Sequence, residues 1–140
     1  MSPRDTRTGG VLESMILPAL KMGGYEVRTQ VRIGMRPGGR RHSVDVIAEK
    51  GGRAVLISLK WQQVGGTAEQ KVPFEIICLM DAIRAGNGAY VKAYVVLGGA
   101  GWSLRDFYVQ GGLEDYLKYK GLVEIFTLEG FVALANQGKL

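Results

Sequence analysis

The stretch that most restricts how this chain can fold is a pair of extended runs, His42 to Lys50 (HSVDVIAEK) and Arg53 to Trp61 (RAVLISLKW), separated only by Gly51-Gly52. Two glycines between such runs signal a hairpin, because they accept the positive φ that the tightest strand-joining turns require. Side chains two apart on a strand share a face. Val55, Ile57 and Leu59 therefore line one face of the second run, and Ala54, Leu56, Ser58 and Lys60 the other. Both faces are apolar until Ser58 and Lys60, so a mostly buried strand ends with a lysine on one side. With the hairpin closed, Asp45 lies opposite Ser58 or Lys60.

Hydrolysis of a phosphodiester needs charge stabilised on the phosphoryl oxygens, an activated water and help for the leaving oxygen. A carboxylate-held Mg²⁺ beside a lysine can supply all three. Asp45 would then hold metal, and Lys60 would orient or deprotonate the water. An acid and a lysine on a hairpin also arise where a strand merely reaches solvent on an open sheet.

Glycine pairs punctuate the rest of the chain, at positions 9–10, 23–24, 38–39, 65–66, 98–99 and 111–112, and mark the ends of elements. Between them the pattern predicts a helix over Thr8 to Leu20, with Val11, Leu12, Met15 and Ile16 on its apolar side and Pro18 kinking or ending it. Strands follow over Tyr25 to Met35, His42 to Lys50 and Arg53 to Trp61, three in succession as in a meander. Next come a helix over Thr67 to Ala85 with Thr67 as its N-cap, and a strand over Ala89 to Leu97. A helical region over Ser103 to Tyr119, broken at Gly111-Gly112, a strand over Leu122 to Leu128 and a short helix over Glu129 to Asn136 complete the chain. The order α-β-β-β-α-β, then a further αβ, predicts an α/β fold, and periodicity alone allows more than one α/β sandwich. A length of 140 residues suits a single domain, 1–140, with one core.

Over roughly Glu13 to Glu75 these residues resemble the PD-(D/E)XK nucleases, the restriction-endonuclease-like fold, and with the order of elements the resemblance implies a mixed sheet flanked by helices on both faces. That family carries an acid on one strand and an acid-x-Lys on the next, between two helices. Asp45 matches the first acid and Lys60 the lysine, while Ser58 stands where Asp or Glu is usual. A hydroxyl is a poor replacement for a carboxylate on Mg²⁺. Some restriction enzymes of the family with Ser-x-Lys recruit a glutamate from the following helix, which here offers Glu69 and Glu75. Glu69 is preferred, because it falls in the first helical turn after the lysine strand, whereas Glu75 lies about one and a half turns further on and faces elsewhere. The resemblance also implies that Gln62, on the Lys60 face if the strand continues, positions phosphate or water. It further implies that Glu13, in a Gly-Gly-x-x-Glu segment similar to that of archaeal-type Holliday-junction resolvases, joins the metal set. On this reading the catalytic residues are Asp45, Lys60, Glu69, Ser58 and Gln62, the metal ligands Glu13, Asp45 and Glu69, and the ion Mg²⁺, with Mn²⁺ able to substitute.

The chain holds 18 Lys and Arg against 13 Asp and Glu, for a net charge of +5, and the excess is unevenly placed. Arg28, Arg32, Arg36, Arg40 and Arg41 fall within fourteen residues; positions 28, 32, 36 and 40 would share one face of an extended strand. Nucleic-acid phosphate is the natural partner of such a stripe, with His42 as a further contact. A charged ribbon that protects a sheet edge has the same composition.

One cysteine, Cys78, excludes disulfides and cysteine metal clusters. With one histidine there is no zinc constellation. The loop Gly98-Gly99-Ala100-Gly101-Trp102 has neither Walker nor GxGxxG spacing and reads as a turn, so no nucleotide cofactor is expected. No apolar run is long enough to span a membrane, and no signal segment is present, which points to a cytoplasmic protein. The function expected is a metal-dependent DNA endonuclease, structure-specific in the manner of a Holliday-junction resolvase and homodimeric. A small restriction endonuclease is the alternative, as is a nucleic-acid-binding module whose nuclease site has degenerated.

Overall fold

The computed structural model describes residues 6–140. Its elements are α1 (Thr6–Met22), β1 (Glu26–Met35), β2 (Arg41–Lys50), β3 (Arg53–Trp61), α2 (Ala68–Ala85), β4 (Lys92–Gly98), α3 (Arg105–Val109), a 3-10 turn at Gly112–Tyr116, β5 (Val123–Thr127) and α4 (Leu128–Asn136). The strands lie in sequence order in one five-stranded sheet. The first three form the expected antiparallel meander, and β4 and β5 add parallel to β3 and to each other. Gly51 and Gly52 both take positive φ, 60° and 76°, which is the turn a two-residue hairpin needs. Pro18 does not end the first helix, which runs four residues beyond it. The Val11 side chain lies outside the described side chains, and Met15 is 46% exposed, so the buried stripe of α1 is Leu12, Ile16, Ala19 and Leu20.

The sheet is covered on both faces. Ile16 and Leu20 of α1, with Phe131 and Ala135 of α4, bury Val46, Val55, Ile57, Tyr94 and Val96. Val72, Ile76, Leu79 and Ile83 of α2 bury Val44, Ile47, Leu56, Val95 and Leu97 on the other side. Val44 and Val46 thus face opposite layers although they are two apart, and Val27 packs with α1 and α4 while Val31 and Ile33 pack with α2. Alternation reverses at the intervening pair, Gln30 and Asp45.

Gln30 has φ +51°, a left-handed conformation uncommon for a side chain of this kind. The Gln30–Asp45 pairing is skipped between Thr29↔Val46 and Val31↔Val44. The β2–β3 ladder begins only at Val46↔Ile57. Residues 31–35 and 41–44 therefore leave the sheet as a two-stranded ribbon that leans on α2, and Asp45 sits at the fork.

Candidate active site

The fork explains how Asp45 is held. Its Oδ2 accepts a hydrogen bond from the Leu59 backbone N–H at 2.7 Å, where the diverging strand would otherwise leave that donor without a partner. Burial pushes its carboxyl above the ordinary value. The Leu59 bond, the Lys60 charge and a hydrogen bond from Gln30 oppose the rise, and the Glu75 charge adds to it. A carboxyl raised in the folded state contributes most favourably at low pH and costs stability as pH rises through its folded pKa. In the metal-free protein Asp45→Asn should therefore raise Tm at neutral pH by a few degrees, with the gain shrinking towards pH 4. Thermal melts across that range in EDTA check this, and an unchanged or lower Tm at pH 7 would refute it.

Ser58 and Lys60 share the α2-facing side of β3, as the alternation predicts, and meet there Glu75, the less favoured of the two glutamates that α2 offers. Glu75 Oε2 stands 3.8 Å from Lys60 Nζ, with the Glu75 side chain 14% exposed and that of Lys60 29%. Burial works against the Glu75 charge, but the His42 ring, Lys60 and the Ser58 hydroxyl outweigh it and hold its pKa below the usual value. Glu75 is thus a carboxylate on the Ser-x-Lys face. His42, expected at the nucleic-acid surface, is instead 4% exposed. Its Nε2 lies 3.9 Å from Glu75 Oε1, beyond hydrogen-bond reach, and is buried without a partner.

Glu69 and Gln62 are elsewhere. Glu69 is buried at the start of α2, where its carboxylate accepts from the Ser103 N–H, from Ser103 Oγ at 2.7 Å and from the Leu104 N–H at 3.2 Å. The Ser103 hydroxyl bond leads a set of contacts that holds its pKa low. It closes the loop leading into α3 and leaves little of its carboxylate for another ligand. Gln62 Oε1 accepts from the Ala68 N–H at 3.1 Å and its Nε2 donates to Gly101 O at 2.7 Å. Gln62 therefore supplies the N-terminal cap of α2 expected from Thr67, whose side chain makes no cap bond. The glycine-rich loop is a packing feature: a Cβ at Gly101 would lie 2.6 Å from the Val64 backbone. Trp102 is buried and bonds Gly98 O.

These contacts give the physical reason for the positions of the two glutamates. They tie the start of α2 to the loop after β4, so Glu69 is engaged by Ser103 and Leu104, and it is Glu75, further along the helix, that stands near Lys60 of β3 and His42 of β2. One sequence signal was available: Glu75 is three residues after Val72 and four before Leu79, on the rim of the buried stripe.

Glu13 of α1 does reach the fork. Gln30 Nε2 donates to Glu13 Oε1 at 2.7 Å and contacts Asp45 Oδ1 at 3.5 Å, so one amide spans two carboxylates. Among the described residues no three His, Cys, Asp or Glu side chains by themselves form a metal cluster. The donor set nevertheless suits a Mg²⁺-like ion, which binds through one or two carboxylates and keeps several waters. Glu13, Asp45 and Glu75 against Lys60 leave the cleft anionic, and burial has already pushed the Asp45 carboxyl up.

The arginines do not form a single stripe. The reversal at Gln30 puts Arg28 and Arg32 on opposite faces, and the Arg36 guanidinium lies 5.8 Å from the centre of the Phe74 ring. Arg32, Arg40 and Arg41 remain exposed on the projecting ribbon.

The fold is an α/β domain with a mixed sheet between helices, carrying an acid at a strand fork and a lysine on the next strand. A family model described as a PD-(D/E)XK nuclease superfamily domain matches residues 4–139; the chain belongs to that superfamily, whose members are nucleases that typically use divalent metals. No curated protein matches the sequence. A crystal structure of a protein of unknown function superposes with a TM-score of 0.53 at 15% identity, covering 86% of this chain and 56% of that one. The chain therefore spans a little over half the length of that neighbour, and the likeness is one of fold. The small subunit of a heterodimeric restriction endonuclease gives a TM-score of 0.45 at 17% identity, over 94% of this chain and 75% of that one. Among the described residues no helix is long and apolar enough to cross a membrane.

Proposed function

We propose that residues 1–140 form one nuclease domain that cuts DNA with Mg²⁺, Mn²⁺ being able to substitute, and that it acts on branched duplex as a homodimer. The observation that carries the reading is the approach of Glu75 to Lys60 across the Ser58 face, 3.8 Å between Oε2 and Nζ. It returns to the Ser-x-Lys strand the carboxylate its sequence lacks. Asp45, with Glu13 and Glu75 beside it, would hold the ion, which when bound supplies charge stabilisation to the phosphoryl oxygens and acidifies water.

The remaining work falls to side chains. Lys60 orients the attacking water and offers positive charge to the non-bridging oxygens, and Glu75 keeps Lys60 in place. Ser58, whose hydroxyl helps hold the Glu75 charge, fixes the carboxylate's position. Asp45 takes part as a carboxylate, so cutting should fall away on the acid side as it becomes protonated.

Arg32, Arg40 and Arg41 on the ribbon would grip backbone phosphates. Such contacts carry no sequence information, which favours recognition of DNA shape, and two symmetric cuts in a branched substrate require two sites and hence a dimer. Arg40→Ala with Arg41→Ala should weaken binding equally on all sequences and reduce the slope of log K against log salt by about 2. Titrations between low and moderate salt measure this; an unchanged slope would remove the ribbon from the interface.

Cleavage of labelled four-way junction, flap, linear duplex and single-stranded DNA, with Mg²⁺, Mn²⁺ or EDTA, tests the whole reading. Junction cutting supports a resolvase-like enzyme, and cutting of duplex at defined sequences a restriction enzyme. Salt-sensitive binding with no cutting would leave a binding module and overturn the nuclease.

A further inference from the structure

We infer that Gln30 is an oxygen ligand of the metal site, a neutral donor that works with the carboxylates of Glu13, Asp45 and Glu75 in a chain whose Ser-x-Lys strand lacks its own acid. This rests on the metal-dependent reading above. Three observations converge on the residue. Its backbone adopts φ +51° at the position where the β1–β2 pairing is skipped opposite Asp45, the register being the same on either side. That break reverses the strand's alternation and turns the side chain towards the fork. Its amide then touches both carboxylates, 2.7 Å to Glu13 Oε1 and 3.5 Å to Asp45 Oδ1.

The contacts have the spacing of a coordination shell. Neighbouring oxygens around an octahedral ion with bonds of 2.0–2.1 Å lie about 2.9 Å apart; the 2.7 Å contact to Glu13 is close to that edge, and the 3.5 Å contact to Asp45 would have to shorten on binding. Without a cation, two carboxylates attract the NH₂ end of the amide. With a cation between them, the sign of the local field reverses and favours the carbonyl end. Rotation about the last side-chain torsion exchanges Nε2 for Oε1 with little displacement of either atom. A glutamine can serve both states, whereas a third carboxylate at this position would repel its neighbours whenever the site is empty. It would also explain how a Mg²⁺-like ion is held where too few acids converge to form a cluster alone.

Mn²⁺ binding, followed by the electron paramagnetic resonance signal of free Mn²⁺ and by calorimetry, tests this without reference to cutting. The arms are wild type, Asp45→Ala, Gln30→Gly and Gln30→Glu, each checked for native circular dichroism. Glycine tolerates the positive φ, so Gln30→Gly removes the side chain and keeps the backbone. Gln30→Glu keeps the length and adds charge. The expected results are Mn²⁺ binding by wild type that Asp45→Ala abolishes, a Kd raised about tenfold or more in Gln30→Gly, and a Kd lowered in Gln30→Glu. Asp45-dependent binding that both Gln30 variants leave within about twofold of wild type would overturn the assignment of Gln30 alone. No Asp45-dependent Mn²⁺ binding in wild type would overturn it together with the metal-dependent reading.

Discussion

Lys60→Ala should lower metal-dependent cleavage by about 10²–10⁴-fold, the range typical when a group that positions or transfers a proton is removed, while DNA affinity stays within a few-fold of wild type. The two halves of that result come from the location of the residue. Lys60 is at the end of β3, inside the cleft, with its Nζ beside Glu75 and its side chain partly open to solvent, so it can reach a water or a phosphoryl oxygen. The exposed arginines that would supply most backbone contacts are on the ribbon, on different strands from it. Losing Lys60 therefore removes the cleft's cation without removing the grip. Single-turnover cleavage and equilibrium binding on the same labelled junction separate the effects. Cleavage that survives Lys60→Ala within threefold would exclude Lys60 from the chemistry, and a parallel collapse of binding would make it a grip residue instead.

The second large effect is a contrast between two glutamates on one helix. Glu75→Gln should abolish cutting, by about 10²-fold or more, with the fold retained, because it deletes the carboxylate facing Ser58, Lys60 and His42. Glu69→Gln should do the reverse. Its carboxylate accepts three hydrogen bonds from Ser103 and Leu104, so the amide lowers Tm while the folded protein still cuts at close to the wild-type rate. A pH signature separates this stabilising role from catalysis. The Glu69 pKa is lowered in the fold, so its contribution is present above the unfolded pKa and is lost as pH falls through the folded value. The Tm gap between wild type and Glu69→Gln should therefore close on acidification. If Glu69→Gln loses cutting and Glu75→Gln does not, the assignment of the acid is inverted.

Much of the fold was legible in the residues. The Gly51-Gly52 hairpin, the meander and the alternation that puts Ser58 and Lys60 together follow from local rules, turn glycines and period-2 patterning, whereas the mixed sheet followed from the family resemblance. The errors have local causes too. Pro18 reads as a break, yet α1 passes through it, with Leu20 fully buried beyond it. Thr67 reads as a cap because it precedes the helix, but Gln62 reaches the free N–H first.

The sequence by itself determined that Asp45 and Lys60 lie on the paired strands of one hairpin, because strand pairing is set by short-range turn chemistry and a period of two. Which glutamate of α2 stands beside Lys60 was decided only by the tertiary structure. The crossing of α2 over the sheet depends on the interlock of Gln62, Glu69, Gly101 and Ser103, side chains about forty residues apart in the chain. The same holds for Gln30 and the split arginines. A single non-glycine residue with positive φ reverses the face of Val31 to Ile33 on β1, ahead of a second irregularity at Gly34, and no periodicity in the amino acids announces that reversal.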